Sequence, residues 1–125
     1  MNASGTIADR ARAFVSNPHR AWRDNGHMYA AAVRFDLHIP QSRSLKVKRA
    51  AIRPIIDGLR HRFRVSVAEV DHHDQWQRSA IAVAVVAGSE SQVREVLASV
   101  ERFVETAADV ELVDVETAWL ESERA

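Results

Sequence analysis

The chain has 125 residues, of which 46% are hydrophobic and 27% charged, and equal numbers of basic and acidic side chains give it a net charge of zero. This composition is typical of one globular domain and argues against two full domains. Because the sequence contains no cysteine, disulfides, thiolate metal sites and thiol nucleophiles are excluded.

Neither a membrane span nor a signal peptide is expected from the distribution of apolar residues. The longest apolar stretch runs from Ala80 to Ala87 and is far shorter than the roughly 18 residues that a spanning helix needs. The first 27 residues lack the continuous apolar core of a signal peptide. We therefore expect a cytoplasmic protein without a membrane partner.

The chain is predicted to contain one folded domain with an extension at each end. Residues 1–27 combine glycine, proline and arginine with little apolar periodicity, a pattern typical of a disordered extension. The folded domain is predicted to cover residues 28–117, and residues 118–125 are predicted to form an acidic tail.

A strand followed by a helix is predicted at the start of the domain. Apolar residues occupy alternate positions from Tyr29 to Ile39, and this period of two predicts a strand with one buried face. Ser44 is a plausible N-cap for a helix that continues to about Phe63. This helix combines an apolar side with a basic strip, and Pro54 is expected to kink it.

Three further strands and a second helix complete the predicted domain. Val65–Val70 has the pattern of a second strand, and Arg78–Ala87 is apolar on both faces, as in a central strand. Ser89 and Gln92 form a capping box that begins the second helix, and Val110–Val115 alternates as a fourth strand. The order βαββαβ predicts an α+β, ferredoxin-like fold with a four-stranded antiparallel sheet and two helices on one face.

If both helices cover one face of this sheet, the opposite face remains open and carries small apolar side chains. A contiguous apolar patch of this kind usually marks an association surface. We therefore predict a homodimer through the open face, with a loop or terminal tail of the same molecule as the alternative occupant. The predicted dimer residues are Ala30, Ala32, Ala82, Ala84 and Val86.

Charge is segregated along the chain. Nine basic and two acidic residues lie between Arg34 and Arg64, whereas ten acidic and two basic residues lie between Glu90 and Glu123. The basic strip of the first helix is predicted to contact RNA or an anionic partner, and the alternatives are a solvated helix face or the acidic half of a neighbouring chain. Its residues are Arg43, Lys46, Lys48, Arg49, Arg53 and Arg60.

A dense polar run between the second and third predicted strands suggests a metal site as a second hypothesis. Glu69, Asp71 and His73 share parity along an extended chain, and Asp74 follows them, so these four could bind a metal ion or support metal-dependent catalysis. Their spacing matches no established ligand pattern, and the alternative is a solvated hairpin. No glycine-rich phosphate loop is present, so no nucleotide or other cofactor is expected.

Two motifs link the chain to a known family. Residues 44–49 (SLKVKR) and 67–78 (VAEVDHHDQWQR) resemble the YlxP-like family of small bacterial proteins of unknown function, and the resemblance covers residues 28–116. It implies a ferredoxin-like fold and a gene setting beside translation initiation and ribosome-binding factors, and it supplies no established activity or catalytic residue to carry over. We therefore expect a non-enzymatic module that binds RNA or the ribosome, with a structural dimeric protein-interaction module as a third hypothesis.

Overall fold

The computed structural model describes residues 28–120, so the predicted extension at residues 1–27 lies outside the described part of the chain. Within residues 28–120, the strands and helices follow the predicted order. They are β1 (Tyr29–His38), α1 (Leu45–Phe63), β2 (Ser66–Asp71), β3 (Arg78–Ala87), α2 (Glu90–Glu105) and β4 (Glu111–Leu120). No helix in this range has the length and hydrophobicity needed to cross a bilayer.

The strands form one antiparallel sheet in the order β2-β3-β1-β4, which confirms the ferredoxin-like α+β fold. The two strands with the strongest apolar pattern, β1 and β3, are the inner pair, as expected for strands that are covered most completely. Their alternate residues, including Phe35 and Ile81, are fully buried in the core. Helix α1 packs against β2 and β3, whereas α2 packs against β1, β3 and β4.

Both helices begin at the predicted N-caps. The hydroxyl oxygens of Ser44 and Ser89 accept hydrogen bonds from backbone amides three residues later, at 3.1 Å and 3.2 Å respectively, and so satisfy otherwise unpaired donors of the first turn. Helix α1 continues through Pro54, whose side chain is exposed. The proline therefore does not end the helix, although it cannot donate the backbone hydrogen bond to Ala50 that another residue would make at this position.

The C-terminal strand is longer than the sequence predicted. Residues 118–120, assigned to the acidic tail, instead belong to β4, where Ala118 and Leu120 pair with Ala32 and Ala30 of β1. The indole of Trp119 packs against the core, and the guanidinium carbon of Arg94 lies 4.8 Å from its ring centroid. The tail prediction was wrong for these three residues. The alternation of strand residues continues to Leu120, but the acidic residues on either side favoured a tail.

Candidate nucleic-acid interface

Four basic side chains form an exposed surface on and just before the N-terminal half of α1. They are Arg43, Lys46, Arg49 and Arg53, and this set is called the basic face below. Within residues 28–120, none of the four forms an ion pair with a carboxylate. Their charges are therefore available to solvent or to an anionic partner.

Two residues of the predicted strip do not belong to the basic face. The Nη2 of Arg60 donates a 3.0 Å hydrogen bond to the carbonyl oxygen of Val67 in β2, so this guanidinium is partly engaged by its own chain. Lys48 is only 1% exposed, which contradicts its predicted role in binding an external partner. It lies about 200° around the helix from Lys46 at 100° per residue, on the buried side rather than on the solvent side.

The ammonium group of Lys48 is enclosed by acceptors from the β2–β3 hairpin, and we call this group of contacts the lysine clamp. Its Nζ lies 3.1 Å from Oε2 of Glu69 and 2.8 Å from the carbonyl oxygen of His72. The carbonyl oxygens of His73 and Arg78 lie 3.1 Å and 3.3 Å away. A buried ammonium needs partners of this kind because its loss of hydration is otherwise very costly.

The lysine clamp brings together the two motifs on which the family resemblance depends. Lys48 comes from the first motif, and Glu69 comes from the second. The Oγ of Ser79 donates a 2.7 Å hydrogen bond to the same Oε2 of Glu69, which satisfies the carboxylate further. Because a buried lysine of α1 pairs with a partly buried glutamate of the hairpin, the clamp fixes the hairpin loop relative to the beginning of α1.

The proposed metal ligands are separated by an irregularity in the sheet. The pairing register of β2 with β3 shifts between Glu69 and Asp71, and such a β-bulge breaks the alternation on which the metal hypothesis rested. The carboxylate of Glu69 binds Lys48 beneath the sheet, whereas that of Asp71 reaches Arg34 on the open face. Among the described residues, no three His, Asp or Glu side chains are grouped to hold a metal ion, so the predicted site is not formed.

The other two residues of the predicted metal site, His73 and Asp74, do not point their side chains toward a common position. The ring Nε2 of His73 lies 3.1 Å from the backbone oxygen of Glu69, and Asp74 lines a separate exposed groove with Trp76 and Arg78. The polar run is therefore a hairpin held by hydrogen bonds to Lys48 and Arg34, and it matches neither the metal site nor the solvated hairpin predicted as its alternative.

An ion-pair cluster that the sequence did not predict lies on the open face of the sheet. Arg34 donates hydrogen bonds from Nε and Nη2 to the two carboxylate oxygens of Asp36, both at 3.0 Å, and Nη2 lies 3.3 Å from Oδ2 of Asp71. These hydrogen bonds hold the pKa of Asp36 below its usual range. The pKa of Asp71 is lowered first by the backbone N–H of His72 and then by Arg34.

The predicted dimer residues lie on the open face, as expected from strand parity. Ala32, Ala84 and Val86 are exposed there, and the side chain of Val86 is 66% exposed. Ala30 and Ala82 are partly covered. A shallow apolar cavity of about 420 Å³ lies between β1, β3 and β4, with Ala30, Ala32, Ala84, Val86, Ala118 and Leu120 among the residues that line it.

Acidic residues gather on the side of the fold away from the basic face. Helix α1 packs over β2 and β3, whereas the acidic segments are α2 and the opposite edge strand β4. The exposed carboxylates of these two elements include Glu95, Glu105, Glu111, Asp114 and Glu116. An anionic partner would therefore be attracted to one edge of the fold and repelled from the other.

Sequence comparison identifies relatives of the chain without assigning them an activity. The model of the family described as "Protein of unknown function (DUF503)" matches residues 30–117. The uncharacterized protein YlxP of Bacillus subtilis (strain 168) is 33% identical over 76 residues, which cover 61% of this chain and 83% of YlxP.

Two solved structures resemble the chain at low sequence identity. The de novo designed protein Foldit4 has a TM-score of 0.49 and 12% identity, covering 78% of this chain and 99% of the designed one. A C-terminal segment of the alpha subunit of aIF2 from Pyrococcus abyssi has a TM-score of 0.41 and 17% identity, covering 79% of this chain and 53% of that segment.

Proposed function

Because the chain belongs to the DUF503 family of proteins of unknown function, we propose its function from surface chemistry: it is a non-catalytic cytoplasmic module that binds RNA through the basic face. The single observation that carries the proposal is the exposure of four cations that are free of ion pairs within residues 28–120. Ribosomal RNA is the natural first ligand to test, given the gene setting implied by the family resemblance.

The arrangement of the basic face suits a phosphate backbone better than a single small anion. Lys46, Arg49 and Arg53 follow one another at helical spacings of three and four residues, so they form a row along one side of α1. Successive phosphates of a nucleic acid strand can be contacted by such a row. If four phosphates are contacted, the logarithm of the affinity should fall with the logarithm of salt concentration with a slope of roughly −3.

Reversing two charges of the row is the direct test. We expect the double variant Arg49→Glu with Arg53→Glu to bind ribosomal RNA more weakly and with a slope shallower by about 0.7 for each lost contact. Fluorescence anisotropy titrations at two or more salt concentrations measure both quantities. The exposed Arg102 of α2 offers a control, since Arg102→Glu changes the net charge by the same two units as Arg49→Glu alone, but outside the basic face.

The outcomes separate a local contact from a general effect of net charge. Weaker binding by the double variant, with Arg102→Glu close to the unmodified protein, supports the proposal. An unchanged affinity and salt slope for the double variant would remove the basic face from RNA binding.

A second candidate function is self-association through the open face. A valine with 66% exposure beside an apolar cavity of about 420 Å³ is the kind of surface that proteins commonly cover by association. A second copy is a suitable occupant because the chain has no net charge and two copies therefore do not repel each other strongly. The small alanine side chains also allow two sheets to approach closely.

Placing a charge in this patch should separate the two copies. We expect Val86→Arg to convert a dimer of the unmodified protein into a monomer, because the guanidinium would lose its hydration in the apolar contact. Analytical ultracentrifugation over a range of concentrations measures the change, with Val113→Arg as a control at another exposed valine. A monomeric mass for the unmodified protein at all concentrations would contradict this candidate.

A further inference from the structure

The loop between β2 and β3 carries an exposed aromatic side chain that neither the fold nor the lysine clamp uses. Trp76 is 55% exposed. An indole of this size is usually covered by the core or by a partner, because it has a large apolar surface. The exposed ring is therefore available to a ligand.

The loop that presents Trp76 is held by hydrogen bonds at the residues on both sides of the ring. Before it, the backbone amide of Gln75 donates a 3.1 Å hydrogen bond to the carbonyl oxygen of His72. The side-chain Nε2 of Gln77 donates hydrogen bonds to the carbonyl oxygens of Pro40 and Ser42, at 3.3 Å and 3.1 Å. The backbone amide of Ile39 donates a 2.8 Å hydrogen bond to the carbonyl oxygen of Gln77. Since the flanking backbone is already held, a partner that uses the ring orders little additional chain on binding.

The groove beside Trp76 combines an aromatic surface with hydrogen-bond donors and acceptors. It has a volume of about 540 Å³ and is lined by His38, Asp74, Gln75, Trp76, Gln77 and Arg78. The guanidinium of Arg78 can donate to a phosphate or to a base oxygen, whereas the Asp74 carboxylate repels phosphate but can accept from a base amino group. A flat ring with polar edges, such as a nucleobase, matches this lining better than an aliphatic ligand does.

The groove and the basic face lie at the same end of α1. Gln77 donates a hydrogen bond to the carbonyl oxygen of Ser42, which directly precedes Arg43 of the basic face. The lysine clamp holds the rest of the loop against the first turns of α1. A strand whose phosphates contact the basic face can therefore bring a neighbouring base to Trp76. Inside a duplex both faces of each base are covered by neighbouring base pairs, whereas an unpaired base can turn a face to the indole.

We propose that Trp76 stacks on an unpaired base of the RNA whose backbone follows the basic face, so that the protein prefers single-stranded over duplex RNA. This inference rests on the proposed RNA-binding function and adds the class of RNA to it. The indole supplies sequence-tolerant stacking, because every base presents a π-face. The cations of the basic face supply the salt-dependent part of the affinity.

The test compares single-stranded and duplex RNA of equal length with variants of Trp76. Stacking on one base is worth about 1–3 kcal/mol, so Trp76→Leu should weaken single-strand binding by roughly 5- to 150-fold. The same variant should leave duplex affinity and the salt slope unchanged, and Trp76→Phe should restore most of the single-strand affinity. Val70→Ala is a matched control, because Val70 is an exposed apolar residue, 45% accessible, on the same hairpin.

The possible results distinguish failure of stacking from failure of RNA binding. If Trp76→Leu binds single strands as well as the unmodified protein does, or weakens binding to both RNAs equally, the stacking inference is overturned. In that case the Arg49→Glu, Arg53→Glu variant still reports on the basic face. If the unmodified protein binds neither RNA, the proposed function and the stacking inference both fail.

Discussion

Replacing Lys48 with methionine should destabilise the protein by about 3–5 kcal/mol, the usual cost of removing one member of a buried ion pair. The substitution keeps much of the side-chain volume but leaves Glu69 without its cation. It also removes the donor from the carbonyl oxygens of His72, His73 and Arg78. Because domains of this size are stable by only about 5–15 kcal/mol, the loss should be visible as a large shift of the denaturation midpoint.

Urea unfolding followed by circular dichroism measures this effect, and a neighbouring lysine supplies its control. Lys46 is exposed, so Lys46→Met should change the free energy of unfolding by less than about 0.5 kcal/mol. Equal effects for the two substitutions would contradict the lysine clamp, since a buried and a solvated ammonium cannot be equivalent.

A double substitution separates the ion pair from the backbone contacts of the clamp. Replacing both Lys48 and Glu69 with methionine removes both charges, and such replacements of buried pairs are often close to neutral. Here the carbonyl oxygens lose the lysine as a donor, although that of His72 keeps the backbone amide of Gln75, and the buried hydroxyl of Ser79 loses its acceptor. Lost hydrogen bonds of this kind are costly. We therefore expect the double variant to recover only part of the lost stability, and full recovery would show that the carbonyl contacts contribute nothing.

The position of Lys48 shows why charge counting alone misplaced part of the site. The run SLKVKR presents three basic residues together in sequence, yet a helix turns them to different sides. Lys48 shares its side of α1 with the buried residues Ile52, Ile55 and Leu59. The spacing of 48, 52, 55 and 59 was visible in the sequence, and Glu69 shares strand parity with the buried Val67, so both burial signals were present.

The helix caps and the bounds of β3 were predicted from nearby residues, whereas details that depend on the exact register between strands were not. The caps at Ser44 and Ser89 and the bounds of β3 follow from nearby residues. The bulge after Glu69 instead depends on how β2 pairs with β3. The Arg34–Asp36–Asp71 cluster needs the same long-range pairing, because its outer residues are 37 positions apart in sequence.

The exposure of Trp76 could not be derived from sequence pattern either. A tryptophan at the entry of a strand more often covers a core than faces solvent. Its exposure follows from hydrogen bonds that hold the adjacent Gln77 against Pro40 and Ser42, and these contacts join segments far apart in the chain. Sequence could therefore identify the basic helix, while only the fold could place an aromatic loop beside it.

Gly58→Ala should destabilise the protein when residue 103 is phenylalanine and stabilise it when residue 103 is alanine. A Cβ at Gly58 would lie 2.5 Å from Cζ of Phe103, which is too close for an ordinary contact. The ring of Phe103 packs edge-to-face on Phe63 at 5.8 Å, and Arg62 lies 5.8 Å from its centroid, so neighbours limit its movement. Overpacking of roughly 1–3 kcal/mol should therefore exceed the gain of about 1 kcal/mol in helix propensity.

In a Phe103→Ala background the clash is absent, and Gly58→Ala should then stabilise the protein by up to about 1 kcal/mol. The four proteins of this double-mutant cycle are compared by urea unfolding, and the coupling between the two sites is the measured quantity. Ala98→Gly, at an exposed position of α2, calibrates helix propensity alone and should cost about 1 kcal/mol. Stabilisation by Gly58→Ala in both backgrounds would mean that α1 and α2 do not require glycine for their close approach, because the Phe103 ring could then move aside without penalty.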